Sequence, residues 1–438
     1  MENCSDGSRR AAVIGGMRIT RFGLAVSLML LLGPLAGCGR AQDGSTGSGG
    51  LDVAALGEGD DAACSPSVPG DCPPTQPPFV FPSLPDGDGA TVRVTLAEMC
   101  RTANEAQAGT TVVVTAGGSM AGACRIDANG LVIRRERPRG VEITGGGFVV
   151  GGEGNTIAGF RFVGAGVAVA LHGNGNRVLA NEIVDGAGKW FEGAIDVHSS
   201  GNLIEGNRIV DTCQMGVRVT GPHRHRENVI KGNHLSNSEQ CGSNWIIGIQ
   251  IGQSDDHGDA SSDTLVLGNI LEGVGRQPIS LKASGVEVRE NFVVSKGINK
   301  AGIGIRLGRD NKLIRNTIIG PIRLAIPVHG AGHTIAGNFV TDARIGMELG
   351  VESTWFDEKW QRENTYSVTR DTEISGNVFA VSDVCFATQS WWGGDHVQPT
   401  AFPADNLIVS NWCSARTLAE RGILERNTVR DNFELDGF

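Results

Sequence analysis

Apolar residues recur along this chain in short bursts rather than in long helical stripes. A six-residue unit, polar-x-aliphatic-x-x-Asn, returns as NRVLAN ending at Asn181, NLIEGN at Asn207, NVIKGN at Asn233, TLVLGN at Asn269 and VEVREN at Asn291. It continues as NKLIRN at Asn316, HTIAGN at Asn338, TEISGN at Asn377, NLIVSN at Asn411 and GILERN at Asn427. Many intervals are 22 to 26 residues, and the longer ones hold loop-forming residues. Aliphatic side chains in such a unit alternate inward along a short strand, and self-similarity at this period indicates stacked coils rather than a layered sandwich. The pattern therefore predicts an all-β chain, a right-handed parallel β-helix. Each asparagine is expected at a bend, where its amide bonds nearby backbone and a left-handed conformation is tolerated. Equivalent positions stack about 4.8 Å apart, so the asparagines should form a ladder.

The ends of the chain read differently. Arg18 and Arg21 precede an apolar run from Phe22 to Leu35 and then Leu35-Ala36-Gly37-Cys38, which resembles a bacterial lipobox. Such an order of basic flank, short apolar run and cleavage site predicts an export signal over 1–37 with Cys38 as the lipidated residue. The protein would then be anchored in the cell envelope of a bacterium. Residues 38–89, rich in Gly, Ser, Pro and Asp, are expected to be a flexible tether, since they can bury little apolar surface. The folded domain is expected over 90–438. It should open with a capping helix near Thr95 to Ala108, because Thr95-Leu96-Ala97-Glu98 has the form of a capping box and a solenoid needs its exposed end covered. Outside Cys4 and Cys38, the cysteines fall in close pairs, Cys64 with Cys72, Cys100 with Cys124, Cys213 with Cys241 and Cys385 with Cys413. Disulfides suit an exported protein.

Composition sharpens this picture in two places. The chain has 64 glycines and one tyrosine, Tyr366, as a turn-rich solenoid with an aliphatic core would. Its net charge is −10, yet the stretch 275–323 carries ten basic residues (Arg276, Lys282, Arg289, Lys296, Lys300, Arg306, Arg309, Lys312, Arg315 and Arg323) against Glu287, Glu290 and Asp310. A basic strip on an acidic protein points to an anionic partner. Lys282 in ISLKAS and Arg306 in IGIRLG lie 24 residues apart, one coil, and should emerge as vertical neighbours. Arginine stays protonated, so the lysine beside it should lose its proton more easily and can serve as a general base.

The runs IGIQIGQSDDHGDASSDTLVLGNILEGVGRQPISLKASGVEVRENF, IGIRLGRDNKLIRNTIIG and IPVHGAGHTIAGNFV closely resemble polysaccharide lyase family 6, the alginate lyases and chondroitinase B, over about Thr91 to Val340. The resemblance implies that Lys282 is the catalytic base and Arg306 the catalytic acid or leaving-group stabiliser of a β-elimination on a uronic-acid polysaccharide, alginate first and dermatan-type glycosaminoglycan next. It also implies calcium, but Gly275 and Gln277 stand where the family carries two glutamates, with Asn244 at an amide position. A hard cation needs several oxygen ligands, so no cofactor is expected, and Arg276 or Arg309 would neutralise the substrate carboxylate instead. Arg276, Gln277, Asn244, Arg309 and His329 are the expected substrate contacts. Two other readings share the fold: a glycan-binding lipoprotein without turnover, and a uronate epimerase. The protein is expected to be a monomer with no nucleic-acid partner. His333 reads as structural, His223 and His225 as a basic surface loop, and SDDHGD from Ser254 to Asp259 as a solvated turn. Tyr366, Trp355, Trp360, Trp391 and Trp392 fall in insertions, where they could stack on sugars or anchor loops.

Overall fold

A computed structural model describes residues 74–136, 141–189, 191–220, 225–237, 247–253, 261–297, 301–357, 362–388 and 399–434. Short strands stack in parallel along the length of the domain. One sheet of 14 strands forms one face, and a 22-stranded sheet supplies the others, the parallel β-helix that the repeat predicts. Register is kept from coil to coil: Ile204 pairs with Ile230, Ile230 with Val266, Val266 with Val288 and Val288 with Leu313. These aliphatic residues are fully buried and belong to one continuous core that runs the length of the solenoid. From Thr317 onward the strands lengthen, to Thr317–Val328, Phe339–Leu349 and Val378–Thr388, and each of them crosses a corner without a break.

The asparagine ladder exists, with a different division of labour from the one expected. Each ladder asparagine is buried, and the left-handed residue is the one before it: Ala180, Gly206, Gly232, Gly268, Glu290, Arg315, Gly337, Gly376 and Ser410 all have positive φ. That position needs a residue able to bend the chain, which is why glycine fills it most often. The asparagine then turns inward. Asn269 Oδ1 accepts from the backbone N and Nδ2 of Asn233, while Asn269 Nδ2 donates to Ile230 O and to Asn291 Oδ1 at 2.9 Å. The pattern runs unbroken to Asn411 and Asn432. A second ladder climbs the preceding bend through Asn155, Asn176, Asn202 and Asn228. There His333 Nδ1 accepts from Asn311 N at 3.1 Å, which is the structural role foreseen for it. Asn427 belongs to this second ladder as the acceptor of Asn406 N. The GILER before it is not a strand but part of a short helix, Arg421–Arg426, which buries Ile423.

The N-terminal helix covers Leu96–Glu105, four residues shorter than expected, and buries Leu96, Met99 and Ala103. Glu98 Oε2 accepts from the backbone N and the hydroxyl of Thr95, fixing its first turn. The Cys100–Cys124 disulfide ties the helix to the strand Ala123–Ile126, and Cys385–Cys413 links two late coils. Cys213 is also disulfide-bonded; its expected partner Cys241, along with Cys38, Cys64 and Cys72, lies outside the described residues. Residues 74–89 are not the free tether that their composition suggests. They form an extended strap lying along the coils: Gln76 Nε2 donates to Glu272 Oε1 at 2.6 Å, Phe79 packs on the His234 ring, Asp86 pairs with Arg134, and Gly89 N donates to Gly109 O. Two phenylalanines, the Asp86–Arg134 ion pair and a few hydrogen bonds make up for the poor apolar content of the segment.

Replacing Asn269 by alanine removes two donated bonds and leaves buried groups of Asn233, Ile230 and Asn291 without that partner. Orphaned buried groups cost about 1–3 kcal/mol each, so N269A is expected to lose roughly 3 kcal/mol or more of unfolding free energy. A denaturant titration that gave the parent's midpoint would show that the ladder is not a stabilising element.

Candidate functional site

The outer surface of one face is built by the strands Ile247–Gly252, Gln277–Lys282 and Ile303–Leu307. Ile249, Ile279 and Ile303, and then Ile251, Leu281 and Ile305, pair inward in register. Gln250, Ser280 and Gly304 therefore share an outward row. Lys282 follows Leu281 and should face Arg306. Instead a bulge intervenes: Lys282 pairs with Leu307, and Arg306 is the extra residue. A bulge re-aims the side chain that it carries, so the two groups are neighbours, though not in the simple stacking implied by their spacing.

Charge identifies what surrounds Lys282. The residue is 9% exposed, and its amine is pushed well below the usual lysine range, first by burial and then by Arg306, Arg276 and Arg218. Arg218 is held by Asp196, its Nε 2.9 Å from Oδ1, so that cation is already balanced. Arg276 is half-buried and lowered to about 10, mainly by burial and next by Arg306. Arg306 donates from Nη2 to the Tyr366 hydroxyl at 2.6 Å and lies 5.8 Å from the Tyr366 ring centroid. Tyr366 in turn packs on His329 with ring centroids 5.0 Å apart.

Not every expected contact takes its expected place. His329 is only 1% exposed and lowered to about 4, chiefly by burial; it supports Tyr366 from beneath rather than facing the substrate. Gly350 leaves room for it, since a Cβ there would sit 2.2 Å from His329 Nδ1. Arg309 lies exposed at the bend beyond Gly308, where its backbone bridges to Ala331, and it is not among the charges acting on Lys282. Gln277 is buried with its amide over Gly304, and neither end of that amide has a hydrogen-bond partner among the described residues. Asn244 lies outside the described residues, as do His223, the SDDHGD segment and the side chains of Trp355, Trp360, Trp391 and Trp392. His225, expected on a surface loop, is 4% exposed on a short strand paired with Ser261–Ser262.

The basic strip disperses in space. Arg289 pairs with Glu287, Arg315 with Glu290 and Lys296 with Glu272, the first two on the 14-stranded sheet side. Among the described residues of the strip, Arg276, Lys282 and Arg306 gather, joined by Arg218, which sequence reasoning had not singled out; Lys300 lies outside the described residues. Glu348 was also missed: it is 1% exposed and pairs in register with Pro327 on the same outer face. The motif IGMELG, which repeats IGIRLG 42 residues later, was the signal that could have found it. These surroundings do not suit a calcium ion. Gly275 offers no side chain, Gln277 offers a single amide, and the fields acting on Lys282 come from three guanidinium groups, which repel a divalent cation rather than ligate it.

The depressed lysine has a consequence for stability. The unfolded chain holds its proton up to about pH 10.4, whereas the folded protein gives it up earlier. Stability linked to this group is therefore complete above about pH 10.4 and is lost as pH falls toward the lowered folded value. Replacing Lys282 by methionine removes that dependence. The variant is expected to unfold at a higher temperature than the parent at pH 7, by about 2 °C or more, with the gap closing as pH approaches about 10. A gap that did not narrow with rising pH would contradict a neutral buried amine.

No protein-family model matches the sequence, and no curated protein sequence matches it. Solved structures do match in fold. A mannuronic acid specific polysaccharide family 6 lyase from human gut microbiota superposes with a TM-score of 0.63 at 17% identity, over 77% of this chain and 84% of that one. A PL6 family polysaccharide lyase from Pseudopedobacter saltans gives 0.59 at 17% identity, over 79% and 92%. The catalytic domain of a GH87 alpha-1,3-glucanase gives 0.57 at 13% identity, over 81% and 70%. The chain thus has the parallel β-helix fold of polysaccharide lyase family 6, a fold that it shares with at least one glycosidase.

Proposed function

We propose that this protein is a polysaccharide lyase that cleaves a uronic-acid polymer, alginate foremost, by β-elimination. The observation that carries the reading is the burial of Lys282 among Arg306, Arg276 and Arg218. Most glycosidases place a pair of carboxyl groups about the scissile bond, whereas the charges that act on Lys282 are guanidinium groups. A neutral lysine amid guanidinium groups is suited to another task, removal of the weakly acidic proton at carbon 5 of a uronate whose carboxylate needs a positive partner. Lys282 Nζ takes that proton, the bond from carbon 4 to its bridging oxygen breaks, and a double bond forms between carbons 4 and 5.

Arg276 stands between Gly275 and Gln277, the two positions where the family resemblance implies calcium ligands, and in this reading it meets the substrate carboxylate directly. A cation about 4 Å away contributes on the order of 4 kcal/mol at intermediate dielectric, concentrated on the transition state as negative charge builds next to the carboxylate. Arg306 stabilises the oxygen that departs. The mannuronic acid specificity of one structural neighbour makes polymannuronate the first substrate to try.

Incubation with polymannuronate, polyguluronate and dermatan sulfate, followed by ultraviolet absorbance of the unsaturated uronate, tests the reaction. K282A is expected to lose about 10²–10⁴ in turnover, the usual contribution of a general base, and excess chelator is expected to leave the parent's rate unchanged. An active K282A variant would overturn the assignment, and activity lost to chelator and restored by calcium would overturn the role of Arg276. The lipobox at Cys38 supports a further part of the proposal, a lipid anchor in the cell envelope. C38A is expected to move the protein from the membrane to the soluble fraction; retention in the membrane fraction would argue against lipidation there.

A further inference from the structure

We infer that Tyr366 is the residue that protonates the departing sugar oxygen, a role that rests on the lyase reading above and completes its proton balance. Elimination generates an alkoxide at the leaving oxygen, and that oxygen needs a proton. Arg306 can stabilise the charge but cannot supply the proton, because a guanidinium does not deprotonate in a protein. Lys282 is occupied as the base. Glu348 and Asp196 are carboxylates on the same face, but Asp196 is committed to Arg218 and His198, and Glu348 lies 1% exposed three coils beyond the Lys282 strand. His329 is lowered to about 4 by burial and so carries no spare proton near neutral pH.

Tyr366 has what the others lack. It is the only tyrosine in 438 residues, and it is 4% exposed at the end of the strand Arg362–Tyr366, part of an antiparallel hairpin with Ser353–Asp357 inserted between two coils. The hairpin delivers the phenol onto Arg306. In the 2.6 Å bond the guanidinium donates and the phenol oxygen accepts. That direction leaves the phenol's own O–H as the proton donor of the pair, and the contact fixes where it stands beside Arg306. The ring is held by His329 on one side and by the Arg306 guanidinium on the other. Arg276, too, feels Tyr366 electrostatically. One group of residues thus receives the carbon-bound proton, balances the carboxylate and returns a proton to oxygen. After product leaves, the lysine ammonium and the tyrosine phenolate differ from the resting state by one proton, which passes between them directly or through water. No external acid, oxidant or metal is needed.

The test compares two substrates of different leaving-group quality. On a natural oligouronate, Y366F is expected to lower kcat by about 10²–10⁴ with KM little changed. On a uronide carrying an aryloxy group at carbon 4, whose departing phenolate needs no proton, Y366F is expected to match the parent. The parent's kcat should also vary less than that of Y366F across a series of aryl leaving groups of rising pKa, because proton donation removes the sensitivity. A merely structural tyrosine would slow both substrates alike, and that result would overturn the assignment, as would a Y366F variant as active as the parent on the natural substrate. If Y366F fails to fold, R306A with an otherwise intact Tyr366 offers a second arm: it should slow the natural substrate far more than the aryl one, and equal losses on both would count against the proposal. Failure of the lyase reading is recognisable separately, since a parent that releases no unsaturated uronate from any substrate sinks that reading and this role together, whereas an active parent with an indifferent Tyr366 sinks this role alone.

Discussion

Everything in this molecule depends on coil-to-coil register. A β-strand reverses which side chains face the core when it slips by one residue, so a solenoid that slipped would bury its polar outer face and expose its aliphatic one. The asparagine ladders hold that register. Each rung joins the side chain of one coil to the backbone and side chain of the next, as in Asn233, Asn269 and Asn291, and a slip would break several buried bonds at once. Because the bonds are directional where the aliphatic core is not, they specify alignment that burial alone would leave loose.

A rigid ladder lets the outer face depart from regularity locally. The bulge at Arg306 disturbs one coil pairing, while Asn291, Asn316 and Asn338 keep their spacing on the other side of the same coils. The site is therefore irregular where chemistry needs a particular aim and regular where the fold needs support. The hairpin carrying Tyr366 follows the same logic. It interrupts the coil only between Glu352 and Thr369, and Thr369 closes the gap by donating from its backbone N to Gly350 O while its hydroxyl donates to Val328 O.

The electrostatics of the face are economical in the same sense. An acidic protein assembles a small cationic centre while several basic residues around it are paired off: Arg289, Arg315 and Lys296 meet glutamates, and Arg218 meets Asp196. Left close to Lys282 are Arg276 and Arg306. Burial of the lysine, rather than the number of cations along the chain, is the largest cause of its lowered proton affinity. Burial also distinguishes His329 from a surface histidine, since the same ring in water would titrate near neutrality.

The sequence alone determined the architecture and the stacked register and put Lys282 and Arg306 one coil apart, because a period of one coil and the alternation of aliphatic residues are local facts with a single geometric solution. It also marked the capping helix through Thr95 and Glu98, and the pairing of Cys100 with Cys124. What only the tertiary structure decided were the contacts between residues far apart in the chain or brought together by irregular backbone. No periodicity could place Tyr366 on Arg306, 60 residues away, because an inserted hairpin sets its own direction. Nor could spacing foresee the bulge that displaces Arg306, the arrival of Arg218, the sealing of His329 or the strap of residues 74–89. Periodic order is written in the repeat; the aim of a side chain at a break in that order is fixed by packing against neighbours that the repeat does not contain.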